Sequence, residues 1–127
     1  MAEKNKLTWK ENEYSVGHTE MDDQHRMIFS IINELFSNEN GNTKSKIQVL
    51  TELIDYSNVH FSSEEEMLND ISYEERFDHA LLHDEYNKRL VYFLDHIDDV
   101  DIEEIYEYAR LWWSKHVLVE DMKYKNY

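Results

Sequence analysis

Hydrophobic residues recur every three or four positions along most of this chain, which is the spacing of an amphipathic α-helix. The first such segment follows Thr19, a good N-cap residue, and places Ile28, Ile32 and Leu35 on one side. Acidic residues at positions 20, 22 and 23 suit its first turn, because the helix dipole favours negative charge there. We therefore predict a helix that ends before a loop at SNENGNT (37–43).

Three further helices are predicted after this loop. The second runs to about residue 69, the third begins near residue 72 or 73, and the fourth follows a break at DDVD (98–101). The predicted buried side of the second helix carries Ile47, Leu50, Ile54, Ser57, Phe61, Glu64, Met67 and Leu68. Four amphipathic helices with short connections predict an all-α fold, an up-down-up-down antiparallel four-helix bundle.

An N-terminal arm, residues 1–18, precedes this bundle. Its Trp9, Tyr14 and Val16 lack helical periodicity, so we expect them to pack onto the helices. The chain has no proline and only two glycines, which also disfavours a β-rich fold with many tight turns. No linker divides the 127 residues, so we predict a single domain over 1–127, with the arm at 1–18 and the bundle at 19–127.

The composition restricts the classes of partner and site. A formal net charge of −15 argues against nucleic acid and anionic membrane surfaces, which attract basic proteins. The absence of cysteine excludes disulfides and thiolate metal sites. No apolar run approaches the roughly 20 residues of a membrane span, and MAEKNKLTWK lacks the apolar segment of a signal peptide. A cytoplasmic location is therefore expected.

Histidines and one glutamate fall on or beside the apolar sides of the predicted helices. Two pairs are four residues apart, which places both members of each pair on one helix face. The set comprises His25, His60, Glu64, His79, His83 and His116. One such histidine is usually a hydrogen-bonded core residue, but five beside a carboxylate are costly to bury unless compensated. A metal ion bound by imidazole and carboxylate would compensate them.

Four short segments resemble the ligand motifs of a known family. They are MDDQH (21–25), HFSSE (60–64), HALLH (79–83) and HVLVEDMKY (116–124). In this order and at these separations they resemble the hemerythrins, non-haem di-iron oxygen-binding proteins, and particularly their single-domain bacterial members. Trp9 and YSVG (14–17) are similar to the family's N-terminal arm, so the resemblance covers roughly the whole chain.

The resemblance implies a cofactor of two iron ions with an oxo or hydroxo bridge. The implied ligands are His79, His83 and His116 for one iron, His25 and His60 for the other, and Glu64 and Asp121 as bridges between them. With the solvent bridge, these ligands fill about eleven of the twelve positions of two octahedral ions. One position on the two-histidine iron would stay open for a small ligand.

The second bridging carboxylate is where spacing and resemblance disagree. Glu120 lies four residues after His116, whereas Asp121 lies five residues after it, about 140° away around an ideal helix. Helical spacing alone therefore favours Glu120, and the resemblance selects Asp121.

The resemblance further implies reversible binding of dioxygen, for storage, delivery, scavenging or sensing. The implied wall of the oxygen pocket comprises Ile28, Phe61, Trp112, Trp113 and Val117. Trp113 departs from the family pattern, in which leucine is common there, and it either narrows the pocket or only packs in the core. Two alternatives stand beside oxygen binding. One is a di-iron enzyme acting on peroxide, nitric oxide or ferrous iron, and the other is a metal-free or zinc-bound interaction module.

Three other residues need an interpretation. Tyr124 matches a family tyrosine one turn beyond Asp121, and plain packing is favoured for it over a hydrogen bond to the ligands. His18 and His96 match no ligand position and are predicted to lie on the surface.

Overall fold

A computed structural model describes residues 7–37 and 43–125 of the chain. Within these ranges the helices are α1 (Glu11–Tyr14), α2 (Thr19–Ser37), α3 (Thr43–Asp70), α4 (Arg76–Asp95) and α5 (Ile102–Lys115). A π-helical turn (His116–Glu120) and a 3-10 turn (Asp121–Tyr124) continue directly from α5. Most of the predicted loop at 37–43 lies outside the described residues. No helix in the described ranges has the length and apolar composition needed to cross a bilayer.

Helices α2 to α5 form the up-down-up-down antiparallel four-helix bundle that the hydrophobic pattern predicts. α2 packs against α3 and α5, and α3 also packs against α4. Leu50 and Leu53 of α3 are fully buried, but Ile47, predicted on the same side, is 39% exposed. Lys46 takes the inward position instead, because its ammonium donates to the carbonyls of Ile97 and Val100 beyond the end of α4.

The connection between α3 and α4 explains why α4 begins at Arg76 and not at the predicted 72 or 73. The amide of Ser72 donates to the carbonyl of Asn69, and the amide of Tyr73 donates to that of Leu68. This pair of bonds is a Schellman motif, with Ser72 in the left-handed position at φ 54°. Leu68 and Tyr73 are both buried beneath the turn, so the chain must complete it before a new helix starts.

The described part of the N-terminal arm, from residue 7 onwards, packs against α2, as predicted. Trp9 and Tyr14 stack on each other with ring centroids 5.5 Å apart, and both direct ring edges at Phe29. The buried carboxylate of Asp22 accepts a 2.9 Å hydrogen bond from the amide of Val16. The short helix α1 within the arm was not predicted, because four residues are too few to show a period.

Candidate metal centre

Helices α2, α3 and α4 and the segment after α5 bring all seven predicted ligand side chains together in the interior. None of the seven is more than 4% exposed. They are His25 from α2, His60 and Glu64 from α3, His79 and His83 from α4, and His116 and Asp121 from the segment after α5. Their donor atoms form two groups, each with all atoms within 4.8 Å of one another. The first group is Glu64, His79, His83 and His116, and the second is His25, His60, Glu64 and Asp121.

Glu64 belongs to both groups because its two oxygens face opposite ways. Its Oε1 lies 3.0 Å from Nε2 of His79 and 3.1 Å from Nε2 of His83. Its Oε2 lies 3.7 Å from Nε2 of His60 and 4.0 Å from Nε2 of His25. Donors that share one ion at about 2.1 Å are roughly 3 to 4 Å apart, so these distances suit two ions joined by one carboxylate.

The two carboxylate oxygens of Asp121 also lie beside different histidine groups. Its Oδ1 lies 2.9 Å from Nε2 of His79 and 3.2 Å from Nε2 of His116. Its Oδ2 lies 3.1 Å from Nε2 of His25. The two carboxylates therefore run side by side across the gap between a three-histidine group and a two-histidine group.

The π-helical turn after α5 is what places Asp121 there. The amide of Asp121 donates to the carbonyls of His116 and Val117, and the bond to His116 spans five residues instead of four. This wider turn brings Asp121 over His116 and leaves the side chain of Glu120 29% exposed. Asp121, which the resemblance selects, therefore lies among the histidines in place of Glu120, which α-helical spacing favours, because the helix is not α-helical at this point.

Several buried nitrogen and oxygen atoms of the cluster, each able to bind a metal ion, lack a hydrogen-bond partner among the described residues. They are Nε2 of His25, Nε2 of His60 and both carboxylate oxygens of Asp121. The Nε2 atoms of His83 and His116 also face each other at 3.3 Å. Buried polar atoms without partners cost about 1–3 kcal/mol each, so the cluster needs a further group between its members. Metal ions fit this position, since imidazole and carboxylate groups point to common centres.

The pKa values of the cluster reflect this concentration of buried charge. Burial lowers the pKa of His60 to about 3. Burial also opposes protonation of His79, but the carboxylates of Asp121 and Glu64 outweigh it and raise that pKa to about 10. Burial would raise the pKa of both carboxyls, yet the surrounding histidines hold both well below their usual range. The two carboxylates are thus anionic, and they require positive charge beside them.

Comparison with known proteins gives this cluster its context. The family description Hemerythrin HHE cation binding domain matches residues 16–127. The chain belongs to the hemerythrin family. It is 35% identical to a bacteriohemerythrin of Clostridium acetobutylicum, over 93% of this chain and 98% of that protein. It is 28% identical to a hemerythrin-like protein of Naegleria gruberi, over 91% and 88% of the two chains. A crystal structure of wild-type hemerythrin matches with a TM-score of 0.88 at 27% identity, over 94% of this chain and 95% of that one.

The hemerythrin cluster of this chain has hydrogen-bond partners around it that sequence reasoning missed. The hydroxyl of Tyr124 donates a 2.7 Å bond to Oε2 of Glu64, so plain packing was the wrong interpretation of this tyrosine. Nδ1 of His60 lies 2.6 Å from Oε1 of Gln24, and Nδ1 of His83 lies 2.8 Å from Oε2 of Glu65. Gln24 and Glu65 are direct neighbours of predicted ligands in the sequence, but only the packing of α2 on α3 and α3 on α4 shows what they contact.

The aromatic residues predicted for the oxygen pocket lie beside both histidine groups, and the ring of Trp113 is also 6.2 Å from that of His116. Trp113 is fully buried, with its ring centroid 5.7 Å from that of His60 and 6.3 Å from that of His25. Trp112 instead stacks on His116 at 4.3 Å, and Phe61 stacks on His83 at 3.8 Å. Phe61 also lies 5.9 Å from His60, between the two groups.

Ile28 and Val117 are both fully buried in the core, as the pocket interpretation requires. Of the two histidines outside the cluster, His96 is exposed as predicted. His18 is half-buried, so it is only partly exposed. It immediately precedes α2, and its carbonyl accepts the first hydrogen bond of that helix from the amide of Asp22.

Proposed function

We propose that this chain binds dioxygen reversibly at a non-haem di-iron centre, for oxygen storage, delivery, scavenging or sensing. The proposed ligands are His79, His83 and His116 on one iron, His25 and His60 on the other, and Glu64 and Asp121 between them. When bound with an oxo or hydroxo bridge, the iron pair would supply the electrons that oxygen binding takes up and returns. The observation that carries the proposal is the position of Glu64, whose two carboxylate oxygens lie beside different histidine groups.

The chain's own residues support a small ligand on the two-histidine side. That group has one imidazole fewer than the other, so it leaves room for a ligand that the protein does not provide. The ring of Trp113 lies over His25 and His60, and it is fully buried. An apolar wall at this position keeps water from the centre and restricts entry to small molecules.

Reversible binding is favoured over turnover of an organic substrate by how the polar groups are used. The hydroxyl of Tyr124 is engaged with Glu64, and the outer nitrogens of His60 and His83 are engaged with Gln24 and Glu65. These groups are therefore committed to holding the cluster. An enzyme acting on an organic substrate would need an acid or base directed at that substrate.

Absorption spectra of the purified protein test the proposal. We expect about two irons per chain by elemental analysis, and an oxygen-dependent spectrum that reverses when air is replaced by argon. Rapid turnover of peroxide with a reductant, or consumption of nitric oxide or ferrous iron, would favour the di-iron enzyme instead. A protein that carries zinc or no metal at all would support the interaction module and overturn the proposal.

A further inference from the structure

The outer nitrogens of two cluster histidines contact side chains of different charge. In the three-histidine group, Nδ1 of His83 lies 2.8 Å from a carboxylate oxygen of Glu65. In the two-histidine group, Nδ1 of His60 lies 2.6 Å from the amide oxygen of Gln24. Each contact joins neighbouring helices of the bundle, α3 with α4 and α2 with α3.

Both contacts fix the same tautomer. Carboxylate and amide oxygens can only accept, so Nδ1 must carry the hydrogen in both rings and Nε2 is left with its lone pair towards the centre. The amide nitrogen of Gln24 is directed at Ser63 Oγ at 3.3 Å and at Glu20 Oε2 at 3.4 Å. This second contact keeps the amide oxygen of Gln24 turned towards His60.

The two acceptors differ in how strongly they attract the Nδ1 hydrogen. A charged carboxylate acceptor forms a roughly twice as strong hydrogen bond as a neutral amide, and it raises the basicity of a ligating imidazole. The side chain of Glu65 is 39% exposed, so water reaches its carboxylate. On the two-histidine side the acceptor is neutral, and Nδ1 of His25 has no hydrogen-bond partner among the described residues.

We infer that Glu65 and Gln24 are positioning residues that make the two metal positions unequal, with the stronger imidazole donor on the three-histidine side. This inference rests on the di-iron function proposed above. A stronger donor binds a cation more tightly and favours its ferric state. Glu65 thus assists electron release from the position remote from oxygen, while Gln24 leaves the oxygen-binding position less electron-rich.

Metal affinity of the apoprotein tests the inference without any oxygen chemistry. Glu65→Gln keeps an acceptor near His83 but removes its charge. We expect it to weaken one of the two zinc-binding steps, measured by competition with a chelator, about tenfold or more. Glu66→Gln is the matched control, because it removes the same charge from an adjacent exposed residue. Equal zinc affinities for both variants and the wild type would overturn the inference.

Redox titration of the iron-loaded proteins gives the second measurement. Glu65→Gln should raise the first one-electron reduction potential of the diferric protein by about 59 mV, which is about a tenfold shift of the equilibrium towards the ferrous state. Gln24→Glu should shift it in the opposite direction, and Glu66→Gln should leave it in place. Potentials that move equally for Glu65→Gln and Glu66→Gln would show a general charge effect and overturn the inference.

The two proposals fail in distinguishable ways. A wild-type protein that binds no iron overturns both of them. A wild-type protein that binds two irons but forms no reversible oxygen adduct overturns the proposed function alone. In that case the zinc affinities and the reduction potentials still test whether Glu65 and Gln24 make the two metal positions unequal.

Discussion

The hydroxyl of Tyr124 donates a 2.7 Å hydrogen bond to the oxygen of Glu64 that faces the two-histidine group. Burial raises the pKa of Tyr124, and the carboxylates of Asp121 and Glu64 raise it further. The phenol therefore stays protonated and remains a donor. Tyr124 ends the 3-10 turn that begins with Asp121. This short segment therefore contributes the carboxylate of Asp121 to the cluster and the hydrogen-bond donor that contacts Glu64.

Tyr124→Phe removes this donor, so the buried Oε2 of Glu64 loses its hydrogen bond from the phenol. We expect the free energy of unfolding of the apoprotein to fall by about 1.5–3 kcal/mol, the range for a hydrogen bond to a charged group. Urea denaturation measures the difference. Tyr92→Phe is the control, since that ring is 48% exposed, and it should change stability little. Equal effects of the two substitutions would show that the contact with Glu64 contributes nothing.

His79→Ala removes the ring whose Nε2 lies within 3.0 Å of a carboxylate oxygen of Glu64 and of Asp121. We expect loss of iron binding and a stability lower by about 3–5 kcal/mol, because two buried carboxylates lose a positive partner. Elemental analysis and thermal unfolding provide the measurements. His96→Ala, at an exposed position, should retain the wild-type iron content. If His79→Ala also keeps its iron, the proposed ligand set is wrong.

Asp121→Asn tests the register set by the π-helical turn. The amide cannot replace a bridging carboxylate that serves two histidine groups, so we expect the iron content to fall well below two per chain. Glu120→Gln removes the same charge one residue earlier, where the side chain points outwards, and should leave the iron content unchanged. If Glu120→Gln lowers the iron content and Asp121→Asn does not, Glu120 is the ligand and the proposed role of Asp121 is wrong.

Trp113→Leu should alter the rates of oxygen binding and release with little effect on iron content. The ring lies against both histidines of the two-histidine group, so a smaller side chain widens the approach to it. Trp112→Leu is the matched control, because that ring stacks on His116 in the other group. Stopped-flow absorption gives both rates. Identical rates in wild type and Trp113→Leu would mean that this ring serves only core packing.

Ser72→Gly should stabilise the protein by about 1 kcal/mol, because a side chain in the left-handed region is strained and glycine is not. The same substitution at Ser62, an exposed position within α3, should destabilise it by about 0.5–1 kcal/mol. Thermal unfolding of the apoproteins compares them. A loss of stability at both positions would argue against a Schellman turn at Ser72.

The amino-acid sequence determined the bundle and most of the cluster. Apolar residues at spacings of three and four predict four helices, and the pairs His60 with Glu64 and His79 with His83 follow from the same period. The side facing the core is therefore known wherever the helix is regular. The predicted side was wrong at Ile47, which is 39% exposed, while the preceding Lys46 donates to the carbonyl of Ile97 beyond the end of α4.

The tertiary structure alone decided how the two carboxylates are shared and what surrounds them. The choice of Asp121 over Glu120 depends on a π-helical turn, which no α-helical period predicts. The contacts of Gln24, Glu65 and Tyr124 each join residues that are 18 to 60 positions apart in sequence. Local spacing describes one helix at a time, whereas these contacts arise from the packing of one helix against another.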